Sequence, residues 1–569
     1  MTGLLANLKT SEEERAAHDT HRPGVVATVL AIFGLYIYLF TDIALYWHLI
    51  TPEALARTLH LYLAHTFGGD GNVDSYLNID RGPIYSSDDE RLILFSILIA
   101  AFLSAYYLPI RFKPIALVIW SALALGVLYG LVACAVLLAA HTLVYVTLHR
   151  PKNEAFALLP GAILWVALGA GSHWQPGPTM MWAMMPVLSF VLYRGVMLPL
   201  LANLVWAPRV QTLVVQSAIV TVAIGTLYNG VIADESWKFP LGLLLFFFQW
   251  ERLFMYHIDF KDGKVPDDVT WGRYLAVFFS PGAIPNWIDR VCIGQGYAYL
   301  NNQFLCRDKN EIVKGGIKLL LLALMYLVLG EWFRHALVEG FEALGVSVHN
   351  GSTQGLIDDY MRGETISPLS IWLTTLLNLA KWFVFFAAVG HFKVGLWRIC
   401  GYDVAPSFDK PWLATNLVSF WGRFTYHYRE FLVRAFYYPV FFKYFRKHRK
   451  TRIVVATMAS AGLGNLVWGH VVEITYYRGM EWEAIRYVLG HWPYYFLLGL
   501  GISLTELYLL KFKRRRKPWS RDVWLVTDVL AAYATVQFFA LIHIFNRVAG
   551  GSTLWDQTQL FLLAFGIRF

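Results

Sequence analysis

Apolar runs long enough to cross a bilayer recur along the whole chain. A helix rises 1.5 Å per residue, so about 20 apolar residues span a hydrocarbon core of about 30 Å. The first run extends from Gly24 to Ile50. Further spans are predicted at 92–110, 114–148, 156–172, 178–201, 209–232, 239–258, 315–345, 367–398, 453–472, 484–510, 521–546 and 553–568. The pattern predicts an all-α polytopic membrane protein with about 11 to 14 transmembrane helices.

Composition and charge agree with this pattern. Hydrophobic residues make up 57% of the chain and charged residues 15%, whereas soluble domains carry about 25% charged residues. The chain has a net charge of +9 and two dense basic runs, Lys443–Arg452 and Lys511–Lys517. Short basic loops stay in the cytoplasm, so both runs are placed there, with an even number of crossings between them. Because these charges flank spans, they indicate topology and contact with anionic membrane lipids, and not nucleic-acid binding.

Two interruptions of the hydrophobic pattern predict an internal chamber. Trp271–Pro285 is too short and too rich in proline and glycine to cross as a regular helix, which is typical of a re-entrant segment. The stretch from Pro411 to Pro439 has the length of one span but carries too many charges for lipid. Irregular backbone at membrane depth is tolerated only inside protein or beside a wet cavity.

His470 is the first candidate for chemistry. It ends the apolar, small-residue-rich stretch Leu463-Gly-Asn-Leu-Val-Trp-Gly-His470. Titratable groups are costly at membrane depth, so one that persists there is a functional candidate, and a neutral imidazole can accept a proton. A helix rising from Ile453 places His470 about 26 Å along its axis, toward the far face. The alternative is structural, because the chain has 17 histidines and many are expected to hydrogen-bond a neighbouring helix.

Four segments between about 270 and 475 resemble, in order, the motifs of the membrane-bound O-acyltransferase family, in particular its bacterial branch that acylates envelope polymers. They include an aromatic-Pro-Gly re-entrant region, a small-residue helix with a glycine turn, a Phe-Trp-x-Arg motif and a tryptophan-histidine signature. The segments are Arg273–Pro285, Gly395–Tyr402 with Ser407-Phe408 and Pro411-Trp412, Phe420–Arg423 with Tyr437–Pro439, and Gly462–His470.

The sequence departs from the family pattern at three places. The family's second histidine falls in register on Thr425, and the nearest imidazole is His427. At about 100° per residue, His427 lies on nearly the opposite helix face from Thr425 unless the backbone is irregular there. Register also gives His391 where the bacterial branch has an aspartate, and Trp-Gly-His470 replaces Trp-His-Gly. These departures indicate a divergent member with its own acceptor, or one that has lost catalysis.

The resemblance implies acyl transfer from acyl-CoA, with acetyl-CoA the expected donor, to a hydroxyl acceptor and without a metal. His470 would be the general base, and His427 and Thr425 are the candidates for the second catalytic position. Asn465 and Trp468 are possible hydrogen-bond donors nearby. His391 and His491 are possible cavity residues, and His491 is equally compatible with a place at the membrane interface beside Trp492.

Three arginines are candidates for holding the CoA phosphates on the cytoplasmic side. The alternatives for each are anchoring to lipid headgroups or internal pairing with Glu430. The arginines are Arg423, Arg429 and Arg434. The four cysteines show no metal-ligand spacing, so no metal site is expected.

The predicted organisation is a cytoplasmic segment 1–23, transmembrane helices over 24–260, an acyltransferase-like core over 261–475 and further transmembrane helices over 476–569. The expected location is the inner (plasma) membrane of a bacterium. An exported glycan or envelope polymer is the expected acceptor, and a lipid hydroxyl is the alternative. A transporter would use intramembrane acids such as Glu506 and Asp528, but the sequence shows no internal repeat of hydropathy. A non-catalytic relative that binds a lipid or a partner protein is the remaining alternative.

Overall fold

The described part of the chain is helical. Besides single positions between 138 and 149, the computed structural model describes residues 12–40, 88–129, 250–279, 293–466, 490–512, 525–546 and 552–568. Within these ranges every regular element is a helix, and the only β pairing is an isolated bridge between Phe304 and Tyr402. The predicted all-α class is confirmed for these residues.

The helices are numbered here in chain order. The first seven are α1 (Glu12–Ala17), α2 (Pro23–Phe40), α3 (Asp88–Tyr107), α4 (Lys113–Tyr129), α5 (Trp250–Lys261), α6 (Trp271–Phe279) and α7 (Tyr297–Gln303). The next five are α8 (Lys309–Ala343), α9 (Thr353–Met361), α10 (Pro368–Ile399), α11 (Leu417–Phe424) and α12 (Tyr426–Leu432). The last five are α13 (Tyr438–Lys443), α14 (Arg449–Thr457), α15 (Trp492–Lys511), α16 (Leu525–Ile542) and α17 (Leu554–Leu563).

Four of the described helices are long and apolar enough to cross a membrane. They are Lys309–Ala343, Pro368–Ile399, Trp492–Lys511 and Val526–Asn546. They correspond to the spans predicted at 315–345, 367–398, 484–510 and 521–546. The 35-residue α8 is about 50 Å long at 1.5 Å per residue, so it extends beyond the hydrocarbon core. Helices α2, α3 and α4 supply shorter apolar stretches.

Other predicted spans have different outcomes. The span predicted at 553–568 is wrong, because the helix there, α17, has ten residues, about 15 Å, and is too short to cross. The spans predicted at 156–172, 178–201 and 209–232 lie outside the described residues. The re-entrant segment predicted over Trp271–Pro285 begins as the nine-residue helix α6, and residues 280–292 lie outside the described part.

Glycines allow α8 and α10 to pack closely as an antiparallel pair. A Cβ atom on Gly316 would lie 2.8 Å from the carbonyl oxygen of Gly395, and one on Gly395 would lie 2.9 Å from the side chain of Leu320. Nearer the other end of the pair, Gly330 faces Val384. Small residues at such crossings let backbones approach, which is how membrane helices gain packing energy. The start of α8 therefore lies beside the end of α10.

Helices α14 and α15 form a second antiparallel pair. Helix α14 continues through a π-helical turn, Met458–Gly464, where Gly462 lies against Gly499. Further along the pair, Thr457 donates a hydrogen bond to Glu506 at 2.5 Å. The beginning of α14 and the end of α15 consequently lie at the same end of the pair. This is the arrangement that the two basic runs require, because one run leads into α14 and the other follows α15.

Candidate functional site

The loop after α10 packs against the junction between α11 and α12. The chain leaves α10, turns at Gly401 with a φ of +93°, and runs back along the α11–α12 junction. Three hydrogen bonds fix its register: Asp409 N to Arg423 O at 2.8 Å, Tyr426 N to Ser407 O at 2.9 Å, and His427 Nε2 to Ala405 O at 2.8 Å. Residues 405–409 thus pair antiparallel with residues 423–427, and we call them the 405–409 loop.

The helix breaks at Thr425, where α11 ends and α12 begins. Thr425 has φ −144° and ψ 69°, far from helical values. The irregular backbone that would let His427 substitute for a residue at Thr425 is therefore present. The interruption arises because Tyr426 gives its amide proton to the 405–409 loop instead of to the helix.

His427 is nevertheless held by partners on both ring nitrogens. Its Nε2 donates to the carbonyl of Ala405 at 2.8 Å, so its Nδ1 must accept, and the side-chain amide of Gln295 donates to it at 3.1 Å. This hydrogen-bond network assigns the tautomer. Burial lowers the pKa of His427 to about 4, so the ring is neutral at pH 7. Its lone pair faces Gln295, and this geometry favours a structural role for His427.

Three other polar side chains around the 405–409 loop lack such partners. The atoms are His391 Nδ1, Ser407 Oγ and Thr425 Oγ1, and none of them makes a hydrogen bond within the part of the chain that the structure describes. All three residues are more than nine-tenths buried. The ring of His391 lies 6.2 Å from that of Phe408, the neighbour of Ser407. We call these three residues the polar cluster.

An aromatic wall packs beside His391 and the 405–409 loop. Tyr326 lies 5.7 Å from the ring of His391, and Phe386 packs 4.9 Å from Phe424. The remaining rings of this wall are Phe383, Phe408, Trp412, Phe420 and Phe539. A buried polar group without a partner costs about 1–3 kcal/mol, and native structures usually satisfy it with water or a ligand. Each atom of the polar cluster therefore has hydrogen-bonding capacity left for a water molecule or a ligand.

The three candidate arginines all have carboxylate partners. Arg429 donates to Glu430 at 2.5 Å, the internal pair that the sequence offered as an alternative. Arg434 donates at 2.9 Å to Asp259, whose side chain is fully buried. Arg423 lies 3.7 Å from Asp409 and is 35% exposed. These contacts favour structural roles, above all for Arg434, and binding of CoA phosphates stays a prediction.

Asn465 connects the π-helical end of α14 to α12. It is almost fully buried, and its Oδ1 accepts a hydrogen bond from the hydroxyl of Tyr428 at 3.0 Å. Asn465 is thus an acceptor for Tyr428, and its amide nitrogen remains a donor group. His470 and Trp468 lie outside the described residues, so their predicted roles stay predictions.

His491 precedes α15 at its N-cap position and is buried, while its neighbour Trp492 is 49% exposed. The polar cluster and His427 are brought together by the 405–409 loop, whereas His491 belongs to the α15 terminus. Among the described residues no group of three His, Cys, Asp or Glu side chains is arranged to hold a metal ion.

Sequence reasoning missed two residues of this site. Gln295 fixes the tautomer of His427 across 132 positions of sequence, and no local pattern marks it. Ser407 belongs to one of the sequence motifs, but its buried hydroxyl is evident only from the packing of the loop.

Comparison with known proteins does not assign the chain to a family. No family model matches it, and a search of the curated proteins finds no significant match.

Proposed function

We propose that this chain is a membrane-bound O-acyltransferase that moves an acetyl group from acetyl-CoA to a hydroxyl of an exported glycan or envelope polymer. The observation that carries the proposal is the polar cluster. Ser407 and Thr425 occupy positions that the resemblance assigns to family motifs, and both carry buried hydroxyls without a described partner. Such groups are suited to bind a reacting carbonyl or hydroxyl.

The reaction requires two proton transfers and one exchange of bonds. The acceptor hydroxyl gives its proton to a neutral histidine while its oxygen bonds to the acyl carbon, and the carbon–sulfur bond to CoA then breaks. The histidine then gives this proton to the CoA thiolate, which leaves as the thiol, and the ring is neutral again. A positioned base contributes about 10² to 10⁴ in rate, and hydroxyl donors such as those of Ser407 and Thr425 stabilise the oxyanion.

Two histidines are assigned to the proton transfer. The resemblance makes His470 the base. Of the described rings near the 405–409 loop, His391 has a nitrogen without a described partner and is the one suited to assist. The two hydrogen bonds of His427 favour a structural role for this residue.

The experiment is an acetyl-transfer assay in proteoliposomes with radiolabelled acetyl-CoA and purified envelope polysaccharide. His470→Gln should lower the rate by about a hundredfold or more, with His391→Gln giving a smaller loss. His335→Gln is the matched control, because this histidine is 56% exposed on α8. If His470→Gln and His391→Gln both transferred acetyl at the wild-type rate, the assignment of these histidines to the proton transfer would be rejected. If the wild-type protein neither transferred acetyl nor released CoA, the proposed acyltransferase activity would be rejected.

Deletion of the gene separates the two acceptor classes. Ester-linked acetate on purified envelope polysaccharide should fall, while the lipid ester profile stays unchanged. Unchanged polysaccharide acetate with an altered lipid ester pool would move the proposal to the lipid acyltransferases of the same family.

A further inference from the structure

A buried chain of polar contacts joins α9 to the first turn of α10, at the end of the α8–α10 pair away from Lys309. The imidazole of His349 lies between two partners: its Nδ1 contacts the Asp359 carboxylate and its Nε2 lies 3.0 Å from Ser370 Oγ. Ser370 in turn contacts the carbonyl oxygen of Ser347. The side chains of His349 and Ser370 are buried.

The order Asp359–His349–Ser370 is the order of a hydrolase triad, but the proton positions differ from one. The carbonyl of Ser347 can only accept, so the single hydroxyl proton of Ser370 points to it. Ser370 Oγ must then accept from His349, which places a proton on Nε2. The carboxylate of Asp359 can also only accept, which places a proton on Nδ1. Both contacts are satisfied together only by an imidazolium ring.

The remaining charges around the ring support a carboxylate at Asp359. On α9 and just after it, Asp359 also pairs with Arg362, which in turn contacts Glu364. On α8, Arg334 faces the turn at Gly351 and pairs with Glu331, which His335 also approaches. The first two turns of α10 present serines and threonines but no charged side chain. Asp359 is therefore the counter-ion of His349.

The backbone at this point needs to be held. His349, Asn350 and Gly351 have consecutive positive φ angles of 47°, 55° and 63°. A non-glycine residue in the left-handed region costs about 1–2 kcal/mol, and it persists only where surrounding contacts fix it. The side chain of His349 supplies two of those contacts.

We propose that His349 is a proton-dependent latch that fastens the 347–362 segment to the start of α10. When the ring carries both protons, it bridges Asp359 and Ser370 and holds the left-handed turn. When one proton leaves the ring, one of the two donors is lost and the turn loses a restraint. The segment then loosens as pH rises. This inference is independent of the proposed acyl transfer.

Hydrogen exchange of the full-length protein in detergent tests the latch. After correction for the intrinsic pH dependence, peptides covering 347–362 should exchange about tenfold faster at high than at low pH within the histidine range. His349→Gln should exchange quickly at both pH values. His335→Gln, the exposed histidine on α8, should behave as wild type. Equal wild-type protection at both pH values, or loss of the pH dependence only in His335→Gln, would overturn the latch.

Nitrogen-15 NMR of labelled histidine gives a second readout that does not depend on the His349 variant folding. Both ring nitrogens of His349 should show the imidazolium signature at low pH, and Ser370→Ala should change the Nε2 signal by removing its acceptor. A neutral His349 ring throughout the range would contradict the proposal. Covalent labelling of Ser370 by a fluorophosphonate would do the same, because it requires a hydroxyl directed at a neutral ring.

Discussion

Gln295 and His427 form a hydrogen bond that occupies the lone pair of the histidine ring. The Nε2 atom of Gln295 donates to the Nδ1 atom of His427 at 3.1 Å, and both residues are buried. Since the other ring nitrogen already donates to Ala405, the imidazole has no lone pair left for a substrate proton. The histidine nearest in sequence to the expected catalytic position therefore stabilises the loop beside it.

His427→Ala is expected to destabilise the protein without removing the chemistry. It leaves the Gln295 amide and the Ala405 carbonyl buried without this partner, at a cost of about 1–3 kcal/mol for each group. The melting temperature in detergent should fall, while the acetyl-transfer rate per folded molecule changes less than about tenfold, below the usual effect of a catalytic base. Gln295→Leu is the matched variant, and the two losses should not add. A normal melting temperature with abolished transfer would make His427 catalytic.

The sequence predicts the long helices well because burial in lipid imposes one requirement on every residue of a span. The runs that became α8 and α10 are apolar over more than the bilayer thickness, and no tertiary contact is needed to identify them. Helix α17 was predicted as a span for the same reason, but its ten residues end in a turn at Gly566 with a φ of +78°. Apolar character alone cannot distinguish a short buried helix from a crossing.

The site was predictable only in part, because its geometry depends on long-range pairing. The motif register identified Thr425, His427 and His391 as residues of interest, and the structure places all three beside the 405–409 loop. Which of them is free to react depends on Gln295 and on the break at Thr425. Both are consequences of tertiary contacts that leave no local periodicity.

Thr425→Val is expected to lower transfer without lowering stability. The hydroxyl of Thr425 has no described partner, so its removal should leave the unfolding free energy within about 1 kcal/mol. If it donates to the developing oxyanion, kcat/KM should fall roughly tenfold to a hundredfold. Thr374→Val is the matched control, because Thr374 on α10 is also buried with a hydroxyl that lacks a described partner. Equal activity of the two variants would remove Thr425 from the site.

Arg434→Gln is expected to lower the stability of the protein and to leave the binding of acetyl-CoA unchanged. Its partner Asp259 is fully buried, and breaking a buried ion pair by removing one member costs about 3–5 kcal/mol. The double variant with Asp259→Asn should recover part of this loss. The KM for acetyl-CoA should stay within about threefold of wild type if the arginine is committed to Asp259. A large rise in KM with normal stability would instead favour the predicted role in binding CoA phosphates.

Gly316→Ala is expected to separate the α8–α10 pair. The added methyl group would lie 2.8 Å from the Gly395 carbonyl oxygen, and overpacking of this kind costs about 1–3 kcal/mol. Gly340→Ala on the same helix is the control, since a Cβ there meets nothing within 4 Å, and alanine raises helix propensity by about 1 kcal/mol. Thermal unfolding in detergent should therefore shift down for Gly316→Ala and up or not at all for Gly340→Ala. A stable Gly316→Ala variant would contradict this close approach.

Cysteine labelling in intact cells tests the sidedness on which the proposed transfer across the bilayer depends. The antiparallel contact of Thr457 with Glu506 puts the start of α14 and the end of α15 on one side, so Arg449→Cys and Lys511→Cys should both be protected from an impermeant maleimide. Asn350→Cys, in the exposed turn between α8 and α10, should react, because α8 is long and apolar enough to cross between its basic start and that turn. Labelling of Arg449→Cys but not of Lys511→Cys would contradict the antiparallel pairing of α14 and α15. Labelling of both Arg449→Cys and Lys511→Cys, with Asn350→Cys protected, would show that the protein has the opposite orientation in the membrane. The proposed acetyl acceptor would then lie in the cytoplasm.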